Sequence, residues 1–263
     1  MPGTSLPIIL DPDARPVIAH RGASGCAPEN TMRAFELALE DGADALELDV
    51  HVSADGVPVV IHDANLARTA GVNALVAALP VERILEQDAG ARFSPDEGHT
   101  FPFRNQGIRI PLLAEVLEAF PSVPLIVEIK TSAASEAVRR VLEEKGAVER
   151  SVIMSFEPAA LAIFRTAPWT TGATGSDTQR LIRRALLRRE PEAVTYSAFS
   201  LPERYHGFPL PLDLIARTAR LMAKPVHIWA IDSPERARQL WRKGVSGIVT
   251  NYPSAILAAR DSA

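Results

Sequence analysis

Cysteine is almost missing from this chain: Cys26 is the one thiol among 263 residues. A single thiol excludes an internal disulfide framework and fits a reducing compartment, so a cytoplasmic location is expected. No apolar run approaches the length of a membrane span, and the opening MPGTSLPIILDPDARP lacks the basic region of a signal peptide. Neither stable membrane insertion nor export is therefore expected. Positive charge is not in excess either. A formal net charge of −4 leaves no electrostatic footprint for nucleic acid or an anionic membrane. Repeats, low-complexity tracts and linkers are also lacking. With 47% hydrophobic and 23% charged residues the composition is that of a globular protein. The length suffices for one sizeable core, and the chain is read as one domain over residues 1–263.

The elements follow from the hydrophobic pattern. Residues 17–20 form a first strand that ends before Gly22. The stretch MRAFELALEDG carries apolar residues at helical spacing, with Asn30 as the expected N-cap and Gly42 as the stop. Residues 43–52 make a second strand, and the turn Ala54-Asp55-Gly56 returns the chain along 57–61 as a hairpin. Residues 64–110 are rich in Gly and Pro and are expected to form an insertion or lid over the mouth of the fold. Strands and helices then alternate. Strands are expected at 125–130, 151–155, 170–174, 193–197, 226–231 and 246–250, with helices at 111–120, 134–145, 157–166, 177–188, 212–223, 233–243 and 253–260. That alternation predicts a parallel sheet closed into an α/β (β/α)8 barrel. Nine strand candidates compete for eight places, and the hairpin return 57–61 is the extra one because no helix precedes it.

Two strands carry one anomaly. ALELDV and LIVEIK each set polar groups against a face of aliphatics, because side chains alternate along a strand. The outer face of a barrel strand packs under helices and must be apolar. Glu47, Asp49, Glu128 and Lys130 must then point inward near the C-terminal rim, where barrel active sites lie. Three converging carboxylates repel one another unless a cation joins them. An all-oxygen set suits Mg²⁺ or Ca²⁺ better than zinc. The competing reading pairs Glu128 with Lys130 in a structural ion pair and leaves Glu47 and Asp49 to surface arginines. His20 and His62 lie at strand ends leading into the same rim, where imidazoles can serve as general base and general acid. Arg21 enters a Gly-containing loop and can hold a phosphate through its guanidinium fork, or simply lie at the surface. His51 is placed at the hairpin end, His99 and His206 in loops, and His227 as packing in its strand.

These residues stand in an order that resembles the glycerophosphodiester phosphodiesterases. The likeness runs through His20-Arg21-Gly22, Pro28-Glu29-Asn30-Thr31, Glu47-Leu48-Asp49-Val50, Asp55-Gly56, Ile61-His62-Asp63 and Arg68-Thr69. It continues through Glu128-Ile129-Lys130, Ser155-Phe156 and His227-Ile228-Trp229, and closes at Thr250-Asn251-Tyr252-Pro253. The resemblance implies a TIM barrel with a small insertion after the His-Asp pair. It implies a divalent ion on Glu47, Asp49 and Glu128, acid–base work by His20 and His62, and phosphate contacts from Arg21 and Lys130. It also sets Trp229 against the substrate, where the residue alone reads as a core aromatic. The chain departs from the family pattern at Trp229-Ala230-Ile231-Asp232, at Arg68-Thr69-Ala70, and at Asn251, where the family carries Asp.

The expected activity is metal-dependent hydrolysis of a small-molecule glycerophosphodiester to sn-glycerol 3-phosphate and an alcohol. His20 is taken as the base and His62 as the acid, although both orders satisfy the same spacing. The nearer alternative is a same-fold phosphodiesterase of lysophospholipase D type, acting on lysophospholipids or other diesters. The more distant one is a catalytically silent barrel that binds a phosphorylated ligand. The alcohol arm, the ion and the oligomeric state are not legible in the sequence.

Overall fold

The computed structural model describes residues 6–190 and 192–262. A 3-10 turn at Ile8–Leu10 precedes β1 (Val17–His20), and α1 (Met32–Glu40) leads to β2 (Ala45–Val52). Thr31, not Asn30, caps α1: its hydroxyl accepts from the Ala34 N–H at 3.3 Å. Asn30 holds a left-handed φ of 56° and faces the site instead. β3 (Pro58–Val60) returns antiparallel beside β2, pairing Val50 with Val60 and Val52 with Pro58. Gly56 at φ 84° makes the expected turn.

The next stretch contains α2 (Val81–Leu85) and a small core of its own, built from Leu66, Val76, Ile84, Ala89 and Ile110 on Val59 and Ile61. It packs on the hairpin edge, where Leu79 accepts from the Ala54 N–H and Pro111 from the Val60 N–H. None of residues 64–110 lines the central cavity. The expected lid is therefore a side lobe, because its apolar side chains find the hairpin rather than the mouth.

The chain continues through α3 (Leu113–Ala119), β4 (Leu125–Ile129), α4 (Ser135–Glu144) and β5 (Ser151–Met154). A 3-10 segment at Pro158–Phe164 replaces the helix expected there. β6 (Thr170–Thr171), α5 (Gly175–Leu186) and β7 (Phe199–Pro202) follow, then a short hairpin of β8 (Arg204–Tyr205) and β9 (Phe208–Pro209). The last elements are α6 (Leu212–Leu221), β10 (Val226–Trp229), α7 (Pro234–Arg242), β11 (Gly247–Thr250) and α8 (Pro253–Asp261). The strand expected at 193–197 is displaced to β7, where Phe199 and Leu201 pair in register with Val226 and Ile228.

Eight parallel strands follow one another in the order β6-β5-β4-β2-β1-β11-β10-β7, with β3 appended to β2. A parallel bridge between Gly172 and Ala198 joins the two ends, so the sheet closes as a (β/α)8 barrel. The period-two pattern sorts every strand. Leu46, Leu48 and Val50 of β2 and Leu125, Val127 and Ile129 of β4 point outward into the helix layer. Each such aliphatic contributes about 1.5–3 kcal/mol through burial. Ile18, Ala45, Ile126, Val152 and Val249 point inward and fill the barrel, with Ile9 closing its lower end. Above that layer the inward positions turn polar. The core is thus apolar at the bottom and polar at the rim.

Candidate active site

The two acids of β2 lie one pleat apart on its inner face, with Glu47 7% and Asp49 1% exposed. β4 runs in register with β2, so Glu128 stands directly across from Asp49. One carboxylate oxygen from each of Glu47, Asp49 and Glu128 falls within 4.8 Å of the others. Lys130 Nζ lies 2.8 Å from Asp49 Oδ1 and 2.5 Å from Glu128 Oε1. Arg21 Nε lies 3.0 Å from Asp49 Oδ2, and Arg21 Nη1 donates to Glu29 at 3.0 Å. The Arg21 side chain is only 17% exposed, so the surface reading of it fails. Asn30 Nδ2 adds a hydrogen bond to Asp49 Oδ2 at 2.8 Å.

The balance of charge is uneven across these acids. Burial pushes the Asp49 carboxyl up, but Lys130 and Arg21 together outweigh it and hold the group below its usual range. Burial likewise works against charge on Lys130, and Asp49 and Glu128 reverse that effect. Among the described residues Glu47 has no ion-pair partner, and Arg21 and Lys130 act on it too weakly to prevail. Burial, then Asp49 and then Glu128 drive its carboxyl well above the ordinary range. Its one hydrogen bond comes from the Arg21 backbone N–H at 3.0 Å. Glu128 is raised as well, chiefly by burial. Asp49 Oδ1 has Lys130 as its cationic neighbour, shared with Glu128. Two neighbouring cations therefore leave a three-acid cluster short of positive charge. Hard oxygen donors in that condition fit a divalent ion such as Mg²⁺ or Ca²⁺. The Glu128–Lys130 ion pair of the competing reading is present too, inside the same cluster.

His20 ends β1 and is held from across the barrel seam. Its Nδ1 lies 2.7 Å from Asn251 Oδ1, at the exit of β11. Asn251 donates through Nδ2 to Asp232 Oδ2 at 2.7 Å and through its backbone N–H to Asp232 Oδ1 at 2.8 Å. With its amide nitrogen committed to Asp232, Asn251 can present only its oxygen to His20. An amide oxygen only accepts, so His20 carries its proton on Nδ1 and keeps the Nε2 lone pair. Burial, then the Arg21 charge, hold the His20 imidazole below its usual titration range. The preceding sequence makes this loop possible. Gly22 turns at φ 81° against α1, where a Cβ would meet the Ala34 carbonyl carbon at 2.5 Å.

His62 follows β3 and is oriented by its neighbour. Its Nδ1 donates to Asp63 Oδ1 at 2.6 Å. Arg68 Nε donates to Asp63 Oδ2 at 2.6 Å, and its two terminal nitrogens grip Glu29 at 2.7 Å each. Burial opposes charge on Asp63, but the Arg68 and His62 contacts prevail and lower its carboxyl to about 2. His51 stands at the hairpin end of β2, paired with Val59, and its Nε2 lies 3.1 Å from the His62 carbonyl oxygen. A chain of ion pairs thus links His62, Asp63, Arg68, Glu29 and Arg21 around one side of the rim.

One cavity of about 230 Å³ gathers the expected residues. His20, Arg21, Glu47, His62, Glu128, Lys130 and Trp229 all line it, with Asp49 buried just behind. Trp229 is therefore at the cavity and not sealed in the core. His227, two residues earlier on the same face of β10, lies nearer the barrel floor with its Nε2 2.8 Å from the Ile9 carbonyl oxygen. Glu29, Asp63, Arg68 and Asn251 had no role in a residue-by-residue reading, and Asn30 only that of a helix cap. Only their places in the family pattern mark them.

Fold and rim together place a buried acid cluster and two oriented histidines at the mouth of a (β/α)8 barrel. The chain belongs to the glycerophosphoryl diester phosphodiesterase family, whose model matches residues 20–255. A glycerophosphodiester phosphodiesterase of Bacillus altitudinis is 38% identical over 265 residues, covering 93% of this chain and 98% of that protein. One from Caldanaerobacter subterraneus is 32% identical over 249 residues, covering 92% and 96%. The crystal structure of a glycerophosphodiester phosphodiesterase from Agrobacterium tumefaciens superimposes with a TM-score of 0.72 at 26% identity, covering 93% of this chain and 99% of that one.

Proposed function

We propose that this chain hydrolyses a phosphodiester with one glycerol arm, giving sn-glycerol 3-phosphate and a free alcohol. A divalent ion, Mg²⁺ or Ca²⁺, is assigned to Glu47, Asp49 and Glu128. When bound, it supplies charge neutralisation for a phosphate oxygen and acidification of a glycerol hydroxyl. The observation that carries this reading is Glu47: a buried carboxylate with two acidic neighbours and no cation of its own.

The remaining roles fall to side chains already oriented. His20 takes the proton of the attacking hydroxyl or water on Nε2, because Asn251 holds the other nitrogen protonated. His62, steadied at Nδ1 by Asp63, gives a proton from Nε2 to the departing alcohol. Over the whole reaction the phosphorus–oxygen bond to the alcohol breaks, the water oxygen stays on phosphorus, and its proton replaces the lost bond on the alcohol. Arg21 and Lys130 face the phosphate with charges already fixed in place by Glu29, Asp49 and Glu128, so little reorganisation accompanies the developing negative charge. The test is release of glycerol 3-phosphate from glycerophosphocholine, first in EDTA and then with Mg²⁺ or Ca²⁺ restored.

A further inference from the structure

The cavity has two unlike halves. All of its charged and imidazole lining residues come from one side: His20, Arg21, Glu47, His62, Glu128 and Lys130. The other side, built from β5, β6, β7, β10 and the neighbouring loops, contributes no Asp, Glu, Lys or Arg. Its wall is Met154, Phe156, Ile182, Leu201, Leu210 and Trp229. Five polar but uncharged side chains interrupt it, Ser155, Thr178, Gln179, Ser200 and Tyr205, and two of these are already engaged. Ser155 Oγ donates to the Ile129 carbonyl at 2.6 Å, and Thr178 Oγ1 to the Thr174 carbonyl at 3.1 Å.

The mouth of that half continues in the same character. Phe156 is 69% exposed, and Phe208 on the β8–β9 hairpin is 77% exposed beside a half-exposed Tyr205. The hairpin is braced rather than loose. Arg204 donates to the Gly207 carbonyl at 2.6 Å, and Arg236 grips Glu203 at its base with a 2.6 Å contact from Nε. An apolar rim held out by an ion pair and a backbone hydrogen bond needs a reason, since water contact with large apolar side chains is unfavourable.

We infer that the diester arm leading away from the acid cluster is a hydrocarbon chain, seated on Phe156, Trp229 and Leu210 with the β8–β9 hairpin at its outer end. This rests on the phosphodiesterase reading above, in which the glycerol hydroxyl occupies the acid end. A polyol arm finds only Gln179, Ser200 and Tyr205 there, set among six large apolar side chains. An anionic arm finds no cation, and an ammonium arm no carboxylate. A trimethylammonium group could use aromatic faces instead. Phe156 and Trp229 meet edge to face, with centroids 6.0 Å apart at 85°, which covers one of their four ring faces, so the choline diester is the competing arm in the test.

The experiment is a leaving-group series: glycerol phosphodiesters of methanol, butanol, hexanol and octanol, assayed below their micellar limits beside glycerophosphocholine with Mg²⁺ or Ca²⁺. The inference expects kcat/KM to rise roughly fourfold per methylene over the first several carbons, the step for burying one CH₂. It expects the hexyl diester to surpass glycerophosphocholine. In Leu210→Ser the octyl-to-methyl ratio falls about tenfold or more. A flat series in which the methyl diester is still hydrolysed overturns the inference and leaves the phosphodiesterase reading standing, as does a clear preference for the choline diester. No hydrolysis of any diester, from folded protein with either ion, overturns both.

Discussion

Arg68 lies outside the cavity, yet two site groups depend on it. It donates three short hydrogen bonds, one to Asp63 and two to Glu29. Asp63 in turn orients His62, and Glu29 holds Arg21. Replacing Arg68 by Met keeps the aliphatic stem and removes the fork. The side chain is 48% exposed, so solvent screens these pairs and the loss of fold stability is small, about 1 kcal/mol. The effect on catalysis is larger. General acid work of the kind assigned to His62 is worth about 10²–10⁴ in rate. Without Arg68 the Asp63–His62 hydrogen bond survives but Asp63 loses its second anchor, so only part of that factor goes. One charge-assisted anchor corresponds to roughly a tenfold fall in kcat, or about 1.4 kcal/mol. KM should also rise, because Glu29 no longer fixes Arg21. Steady-state kinetics on Arg68→Met, Asp63→Asn and the double variant, with melting curves alongside, form a cycle. The two losses should be strongly non-additive, since both act through the orientation of His62. Wild-type kcat in Arg68→Met, or fully additive losses, would refute the reasoning.

Asn251→Leu removes the acceptor that fixes the His20 tautomer, and kcat should fall roughly tenfold with little change in KM; an unchanged kcat would show that Asn251 does not position His20. His227 bears on stability instead of catalysis. Burial lowers its titration to about 4 from an ordinary 6.5, so the unfolded chain binds a proton that the folded one refuses. Stability from this site is whole above pH 6.5 and is lost as pH falls toward 4, by about 2 kcal/mol between pH 6.5 and 5. Urea unfolding at both pH values should show a smaller difference for His227→Gln than for the wild type, and equal differences would remove His227 as the cause.

Much of this fold is written in period-two and helical patterning. The barrel strands 17–20, 125–130 and 246–250 fall where the apolar alternation puts them, and the hairpin follows from Asp55-Gly56. The inward aim of Glu47, Asp49 and Glu128 follows from the aliphatics opposite them. The errors have tertiary causes. Val194, Thr195 and Tyr196 are strong strand formers, but pairing with β10 selects Phe199–Pro202. Asn30 looks like a cap, yet the buried Asp49 claims its side chain. The stretch 64–110 looks like a lid because its polarity and glycines are visible, whereas the hairpin it packs on is not. In the site, acids and histidines were legible as chemistry. Asp63, Arg68, Glu29 and Asn251 were not, because a residue that orients another carries no local pattern of its own.

The central claim is that Glu47, Asp49 and Glu128 together hold an ion on which hydrolysis depends. The most direct test is release of glycerol 3-phosphate from a glycerophosphodiester after EDTA treatment, followed by titration of Mg²⁺ and Ca²⁺ into wild type and Glu47→Gln. The account predicts no release in EDTA, recovery in wild type on adding an ion, and recovery in Glu47→Gln only at much higher ion concentrations. Full activity of folded wild-type protein in EDTA, or identical ion requirements for the two proteins, would contradict it.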